Sequence, residues 1–221
     1  MPIQRLARLS DIIFAVAMTI LAIVFAPVSL DDISPDAAAQ VLLQQLPGLW
    51  SFSLTFITQA FYWCTHVNQF KYYQKTDAVH TFLTLFALLF VVLFTYASDL
   101  LGAYEGIFAI NLFYSLAAIG VGVFSTSAWI YATHNRRLVA PELSDETIRH
   151  VRQESYIEPT IYLLAIGADW LVSWGWSITV TLGFPIAFLI QAVLTSQQTK
   201  GTATTAKWDN YEYRLRISNH W

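Results

Sequence analysis

The chain has 221 residues, 56% of them hydrophobic and only 12% charged, with a mean hydropathy of +0.48 and a formal net charge of −3. A water-soluble domain of this length needs about twice that charged fraction to wet its surface, so the composition excludes a soluble globular protein and points to an integral membrane protein with no basic surface for nucleic acid. The single cysteine, Cys64, excludes an internal disulfide framework and a multi-cysteine metal site.

Apolar stretches long enough to cross about 30 Å of hydrocarbon as helices recur along the chain, over 10–30, 48–67, 78–101, 106–132, 156–175 and 178–197. The first resembles a signal peptide in its basic start, but its apolar run of roughly 19 residues exceeds a signal core, and Pro27 and an acidic loop follow it instead of a small-x-small cleavage pattern. It reads as a retained span. The fifth and sixth are separated only by Trp174-Gly175-Trp176-Ser177; about 40 apolar residues are too many for one crossing, so a tight hairpin is expected. Trp50, Trp63, Trp129, Trp170, Trp174 and Trp176 lie near span ends, where an amphipathic indole favours the headgroup level.

Six spans with the N-terminus inside put Arg5, Arg8, Lys71, Lys75, Arg136, Arg137, Arg149, Arg152, Lys200, Lys207, Arg214 and Arg216 all on one side, while the opposite loops carry Asp31, Asp32, Asp36, Asp99 and Glu105. This is the positive-inside bias, and removing any one span scatters the basic residues over both faces. The expected fold is therefore an all-α membrane protein with both termini cytoplasmic: a six-span unit over 1–197 and a polar, threonine-rich cytoplasmic tail over 198–221. In the loop between spans four and five, Ser144-Asp145-Glu146-Thr147 predicts the N-cap of a short cytoplasmic helix.

Ionisable groups in or beside apolar spans are costly, by roughly 3 kcal/mol each on insertion scales, and so are candidates for function: Asp11, His66, His80, Glu158 and Asp169. Each also has a structural reading. Glu158 beside Pro159 suits a helix first turn, where the dipole favours an anion, and Asp169 beside Trp170 suits the interface. Neither His66 nor His80 has a second His, Cys or carboxylate one turn away, so no fixed metal site is expected. No nucleophile elbow, P-loop, zinc-protease helix or dinucleotide fingerprint occurs, so no catalytic residue is assigned and an enzyme is not expected.

The first span opens on a charged head, Arg5 to Asp11. Arg8 and Asp11, three apart, can pair on one helix face, whereas Arg5 needs a partner from elsewhere; alternatively, Ser10-Asp11 is an ordinary helix cap. The helical period that follows aligns Ile12, Val16, Thr19, Ile23, Ala26 and Leu30, a stripe that suits lipid, a packed seam or a narrow pore wall. Pro27 frees the Ile23 carbonyl within the span.

These residues carry a resemblance. Arg5-Leu6-Ala7-Arg8-Leu9-Ser10-Asp11, followed at once by an apolar helix, is similar to the R-x-x-x-F-S-D signature of the lysosomal potassium channel family and its bacterial homologues. Trp63, His66 and Phe70 at the end of span two resemble the W-x-x-H-x-x-x-F pattern of the same family, and Leu9 stands where that family usually has Phe. The resemblance implies a homotetrameric, weakly selective potassium channel of the bacterial cell membrane, whose first helix lines a central pore. Thr19, Ile23, Ala26 and Leu30 then face the axis, and Arg5, Ser10 and Asp11 form an interhelical network with Trp63, His66 and Phe70. Potassium is the permeant ion, held only in transit, and no cofactor is implied. A ring of Ile23 side chains would form a hydrophobic constriction that gates by dewetting. The alternative from the residues alone is a proton-coupled transporter or proton pathway through Asp11, His66 and Asp169; a third is a membrane scaffold without transport.

Overall fold

A computed structural model describes residues 2–23, 39–40, 43–104, 106–187 and 189. It divides into two units, Met1–Thr181 and Leu182–Trp221, the second described only over 182–187 and 189. The tail over 198–221, and Ala26, Pro27 and Leu30 of the first span, lie outside the described residues.

The described chain is helical: α1 (Ile3–Ile20), α2 (Leu46–Phe70), α3 (Ala78–Ala103), α4 (Phe108–Thr133), a 3-10 turn (His134–Arg136), α5 (Asp145–Glu154), α6 (Ile157–Leu171) and α7 (Gly175–Ala187). Among the described residues the only extended pairing is one isolated bridge, Tyr73 with Val139. Two of the described helices, α3 and the helical run Phe108–Arg136, are long and apolar enough to cross a membrane by length and composition alone. At 1.5 Å per residue, 26 residues give α3 about 39 Å. These two pack along each other as an antiparallel pair; α6 lies on α4, while α1 and α2 lie on α3.

Local signals explain the helix ends. Asp77 caps α3 by accepting from the His80 N–H at 2.9 Å, and Ser144 caps α5 by accepting from the Thr147 N–H at 3.1 Å, as its sequence predicts. Pro47 occupies the first turn of α2, where its missing N–H costs nothing. The start of α1 differs from expectation. Helix begins at Ile3, so Arg5 to Asp11 is already two turns of it, and Ser10 does not cap: its hydroxyl donates to the Leu6 carbonyl at 2.9 Å. A helix needs apolar residues only where it meets lipid or core, so a charged head does not prevent it from starting earlier.

The core of the bundle is unexpectedly polar. Buried along one face of α2 are Ser51, Thr55, Thr58, Tyr62 and Gln69, each bonded to another helix. Ser51 donates to the Ser98 carbonyl at 2.7 Å; Thr55 meets the Ser98 hydroxyl at 2.8 Å and the Tyr114 hydroxyl at 2.8 Å. Thr58 meets the Tyr162 hydroxyl at 2.9 Å, Tyr62 donates to the Ala118 carbonyl at 2.8 Å, and Gln69 donates to Ser155 at 2.9 Å. Lipid gives apolar faces no reason to exclude it, so interhelical hydrogen bonds and close backbone approach hold such bundles, at about 0.6 kcal/mol per bond. Gly122 supplies the close approach: a Cβ there would run into the Pro159 ring at the start of α6, whereas at Gly167 nothing lies within 4 Å.

At the end of the bundle that carries the α2–α3 and α4–α5 loops, the chain knits together around Trp129, which is fully buried and donates from Nε1 to the Ile148 carbonyl at 3.1 Å. The Tyr131 hydroxyl donates to Asp77 at 2.8 Å and accepts from Arg137 at 2.7 Å, with the guanidinium 4.7 Å from the Tyr131 ring centre. Asn135 and Arg136 take the left-handed region (φ 52° and 51°), and Arg136 is held there by the Leu143 carbonyl and by Asp145 at 2.8 Å. Burial alone would raise the Asp77 pKa, but the His80 N–H, the Tyr131 hydroxyl, and the charges of His80 and Arg137 together hold it below the ordinary carboxylate value. Burial likewise pushes the Tyr73 phenol up.

Two stability predictions follow from this packing. Gly122→Ala should lose about 1–3 kcal/mol by overpacking, while Gly167→Ala should be neutral or gain up to about 1 kcal/mol from helix propensity; thermal unfolding in detergent compares them. Because the folded-state pKa of Asp77 is depressed, its contribution is fully present above the unfolded carboxylate value and is lost as pH falls through the folded one, below about pH 4. Asp77→Asn keeps the cap and should flatten that acid limb in a pH series of unfolding midpoints, whereas Asp77→Ala should lower stability by about 1 kcal/mol at neutral pH.

Candidate functional site: the free face of the first helix

Leu6, Ser10, Phe14, Ala17 and Leu21 are buried, and at about 100° per residue they share one face of α1 and its following turn. Ile12 and Thr19 lie on the far side, within about 20° of the direction opposite that face, and Ile23 follows in the turn after the helix. They are open: Ile12 is 60% and Ile23 is 73% exposed, with Val16 and Thr19 beside them. Thr19 donates its hydroxyl to the Ala15 carbonyl at 2.7 Å, which leaves an exposed acceptor oxygen on an otherwise apolar stripe. The described part of the face is therefore one hydroxyl between rows of Ile and Val.

Contacts from α2 set the rotation of α1. Trp63 donates from Nε1 to Asp11 at 3.1 Å, and on the buried side the His66 ring lies 5.7 Å from Phe14 and 4.2 Å from Phe70. Of the residues that sequence groups as a network, the structure brings Asp11 to Trp63, and His66 to Phe70 and Phe14. Ser10 is satisfied within its own helix. Arg5 and Arg8 are exposed, and among the described residues neither is in an ion pair, so the Arg8–Asp11 pairing is replaced by the Trp63–Asp11 bond. Phe14 was not singled out from the sequence, although its spacing four residues after Ser10 marks the face.

The other ionisable candidates lie apart. Asp169 accepts from Asn111 at 2.9 Å near the N-terminal end of α4. Glu158 sits in the first turn of α6, buried, with Oε2 lacking a hydrogen-bond partner among the described residues; His80 is buried with Nδ1 2.9 Å from the Thr76 hydroxyl. Asp11, His66 and Asp169 do not bond to one another. Among the described residues no group of three or more His, Cys, Asp or Glu side chains is placed to hold a metal.

The Trp63–Asp11 bond involves a charged acceptor, worth about 1.5–3 kcal/mol when buried and less at this partly open site. Trp63→Phe and Asp11→Ala should each destabilise by about 1–2 kcal/mol, and the double variant by clearly less than the sum. Unfolding of all members of the cycle in detergent measures that coupling; full additivity would show that the bond carries no energy.

Comparison with known proteins bears on this face. Residues 5–94, which contain most of α1, all of α2 and most of α3, match the family "Endosomal/lysosomal potassium channel TMEM175". The fold is similar to the crystal structure of a lysosomal potassium-selective channel TMEM175 homologue from Chamaesiphon minutus, at TM-score 0.70 and 18% identity over 86% of this chain and 96% of that one. It is also similar to a variant of the potassium channel MtTMEM175 crystallised with a nanobody–MBP fusion protein, at TM-score 0.51 and 18% identity over 87% of this chain and 93% of that one. No curated protein matches in sequence. Over the charged head and aromatic clamp the chain thus resembles the TMEM175 potassium channel family, and it shares an all-helical fold with TMEM175 homologues over most of its length.

Proposed function

We propose that the chain is a potassium channel that works as a homotetramer, with the free face of α1 lining a central pore. The observation that carries the reading is the orientation of α1: its packed face points into the subunit, and its Ile12, Thr19 and Ile23 stripe points out of it. A single subunit cannot enclose a path along that stripe, but copies arranged around an axis can. Protein chemistry of the enzymatic kind has no place here; the work is passage of an ion across the bilayer. Potassium is the permeant ion and no cofactor takes part.

A pore walled by Ile and Val offers no ring of backbone carbonyls to replace an ion's hydration shell, and the chain contains no T-V-G-Y-G segment. Potassium should therefore exceed sodium only by roughly one order of magnitude or less, about 1.4 kcal/mol. Ile23, the most exposed large residue of the described α1 face, is assigned to the narrowest and driest ring, and Thr19 one turn before it to the nearest partial solvation of the ion. Ala26 and Leu30, which the sequence period adds to the same stripe, lie outside the described residues. The termini are assigned to the cytoplasm and the protein to the cell's inner membrane, on the charge placement of the loops. The acidic Asp99 at the outer end of α3 adds to the field that gathers cations there, which salt should weaken.

The test is flux in liposomes under imposed potassium or sodium gradients. Ile23→Ala should raise potassium flux several-fold by widening the dry ring, while Leu163→Ala on the exposed face of α6 should leave it unchanged. Unaltered flux in Ile23→Ala, or proton movement abolished by Asp11→Asn with cation flux intact, would contradict the assignment.

A further inference from the structure

The two flanks of the α1 free face differ in shape. On one side, between α1 and α3, lies a cavity of about 400 Å³ lined by Ile12, Val16 and Ile20 of α1 and by Val92, Tyr96 and Asp99 of α3. On the other side, where Trp63 reaches across to Asp11, α2 presents Leu49, Phe56 and Trp63 at seven-residue spacing on one face, 48%, 41% and 40% exposed. One flank is a hole and the other a row of large apolar side chains, with the free stripe of α1 between them.

Their depths agree. Trp63 is level with Asp11, and α2 runs opposite to α1, so Phe56, seven residues earlier, stands about 10 Å farther out, at the level of residue 18. The same level on α3 follows from Gln59, which donates to Thr95 at 2.8 Å, and Ser51, which bonds to Ser98: Phe56 falls between them, opposite the stretch from Thr95 to Ser98. The cavity spans residues 12–20 of α1 and 92–99 of α3, so its middle lies at that depth. A cavity of about 150 Å³ already accepts a benzene ring, so 400 Å³ has room for the Phe56 ring and its exposed neighbour Ile57.

We infer that the cavity between α1 and α3 is the socket for a second copy of this chain, filled by Phe56 and Ile57 of the adjacent subunit's α2, and that this heterologous contact closes the ring around the pore. This rests on the tetrameric reading above. A hole on one flank and a matching ridge at equal depth on the other are what a head-to-tail ring requires, since each subunit then both offers and receives the same contact. The contact is continuous with the pore wall: Ile12, Val16 and Ile20 each sit at the boundary between socket and stripe, so the socket's filling sets how far α1 can turn.

In a Cys64→Ser background, Phe56→Cys combined with Tyr96→Cys, treated in liposomes with an oxidant or a short bis-thiol reagent, should give a covalent ladder up to the tetramer on denaturing gels. Either single variant, and the control pair Leu163→Cys with Tyr96→Cys, should not. Ile57→Cys with Val16→Cys offers a second geometry across the same socket and should also cross-link. A protein that is tetrameric by native mass yet cross-links in neither pair, or cross-links equally in the control pair, overturns the socket while leaving the pore reading standing, and assigns the cavity to lipid. A native mass of the monomer alone overturns the pore reading and the socket with it.

Discussion

The structure depends on how α1 is held in rotation. A helix that buried its Ile and Val stripe and exposed Phe14 and Ala17 would be equally hydrophobic and, in a bilayer, equally soluble, so hydrophobicity cannot choose between the two faces. The choice is made by specific contacts: Phe14 against the His66 ring, and the Trp63 indole donating to Asp11. With these in place the apolar stripe is left free of the subunit's own packing.

The same physics explains the polar interior of α2. Where the solvent is hydrocarbon, a hydroxyl facing it is penalised and a hydroxyl facing another helix is satisfied, so Ser51, Thr55, Thr58 and Tyr62 both orient α2 and fix its height against α3, α4 and α6. Gly122 against Pro159 brings α4 and α6 close enough for the seam to form. Rigid placement of α2 matters for function because α2 carries Trp63 and His66, the two groups that orient α1. The chain of dependence thus runs from buried hydroxyls, through α2, to the face that α1 leaves free.

Much of this was legible in the sequence, and the reasons differ by feature. The helical class came from composition, and the two unambiguous spans, α3 and α4, from runs with almost no charge. The resemblance to the potassium channel family came from Arg5 to Asp11 and from Trp63, His66 and Phe70. Charge does not mark where α1 begins: the helix starts at Ile3, and Arg5 and Arg8 project from it ahead of the apolar run. Ser10 resembles a cap only if the helix is taken to begin at that run. The seam on α2 went unread because Ser, Thr and Tyr scattered through an apolar run look neutral one at a time; their spacing at 51, 55, 58 and 62 is the signal that was available. The pairing of Trp63 with Asp11 could be suspected from the motif, but its alternative, Arg8 with Asp11, is equally good by helix geometry, and only the approach of α2 decides between them.

The central claim is that the face of α1 carrying Thr19 borders the ion path and the face carrying Phe14 and Ala17 does not. Single cysteines in a Cys64→Ser background, probed with a small charged thiol reagent while potassium flux is followed in liposomes, test this directly. Modification of Thr19→Cys should suppress flux, with potassium ions in the path slowing the reaction, and Ala17→Cys should be unaffected. Flux that is insensitive to modification at Thr19→Cys but blocked through Ala17→Cys would place the path on the opposite side of the helix and contradict the account.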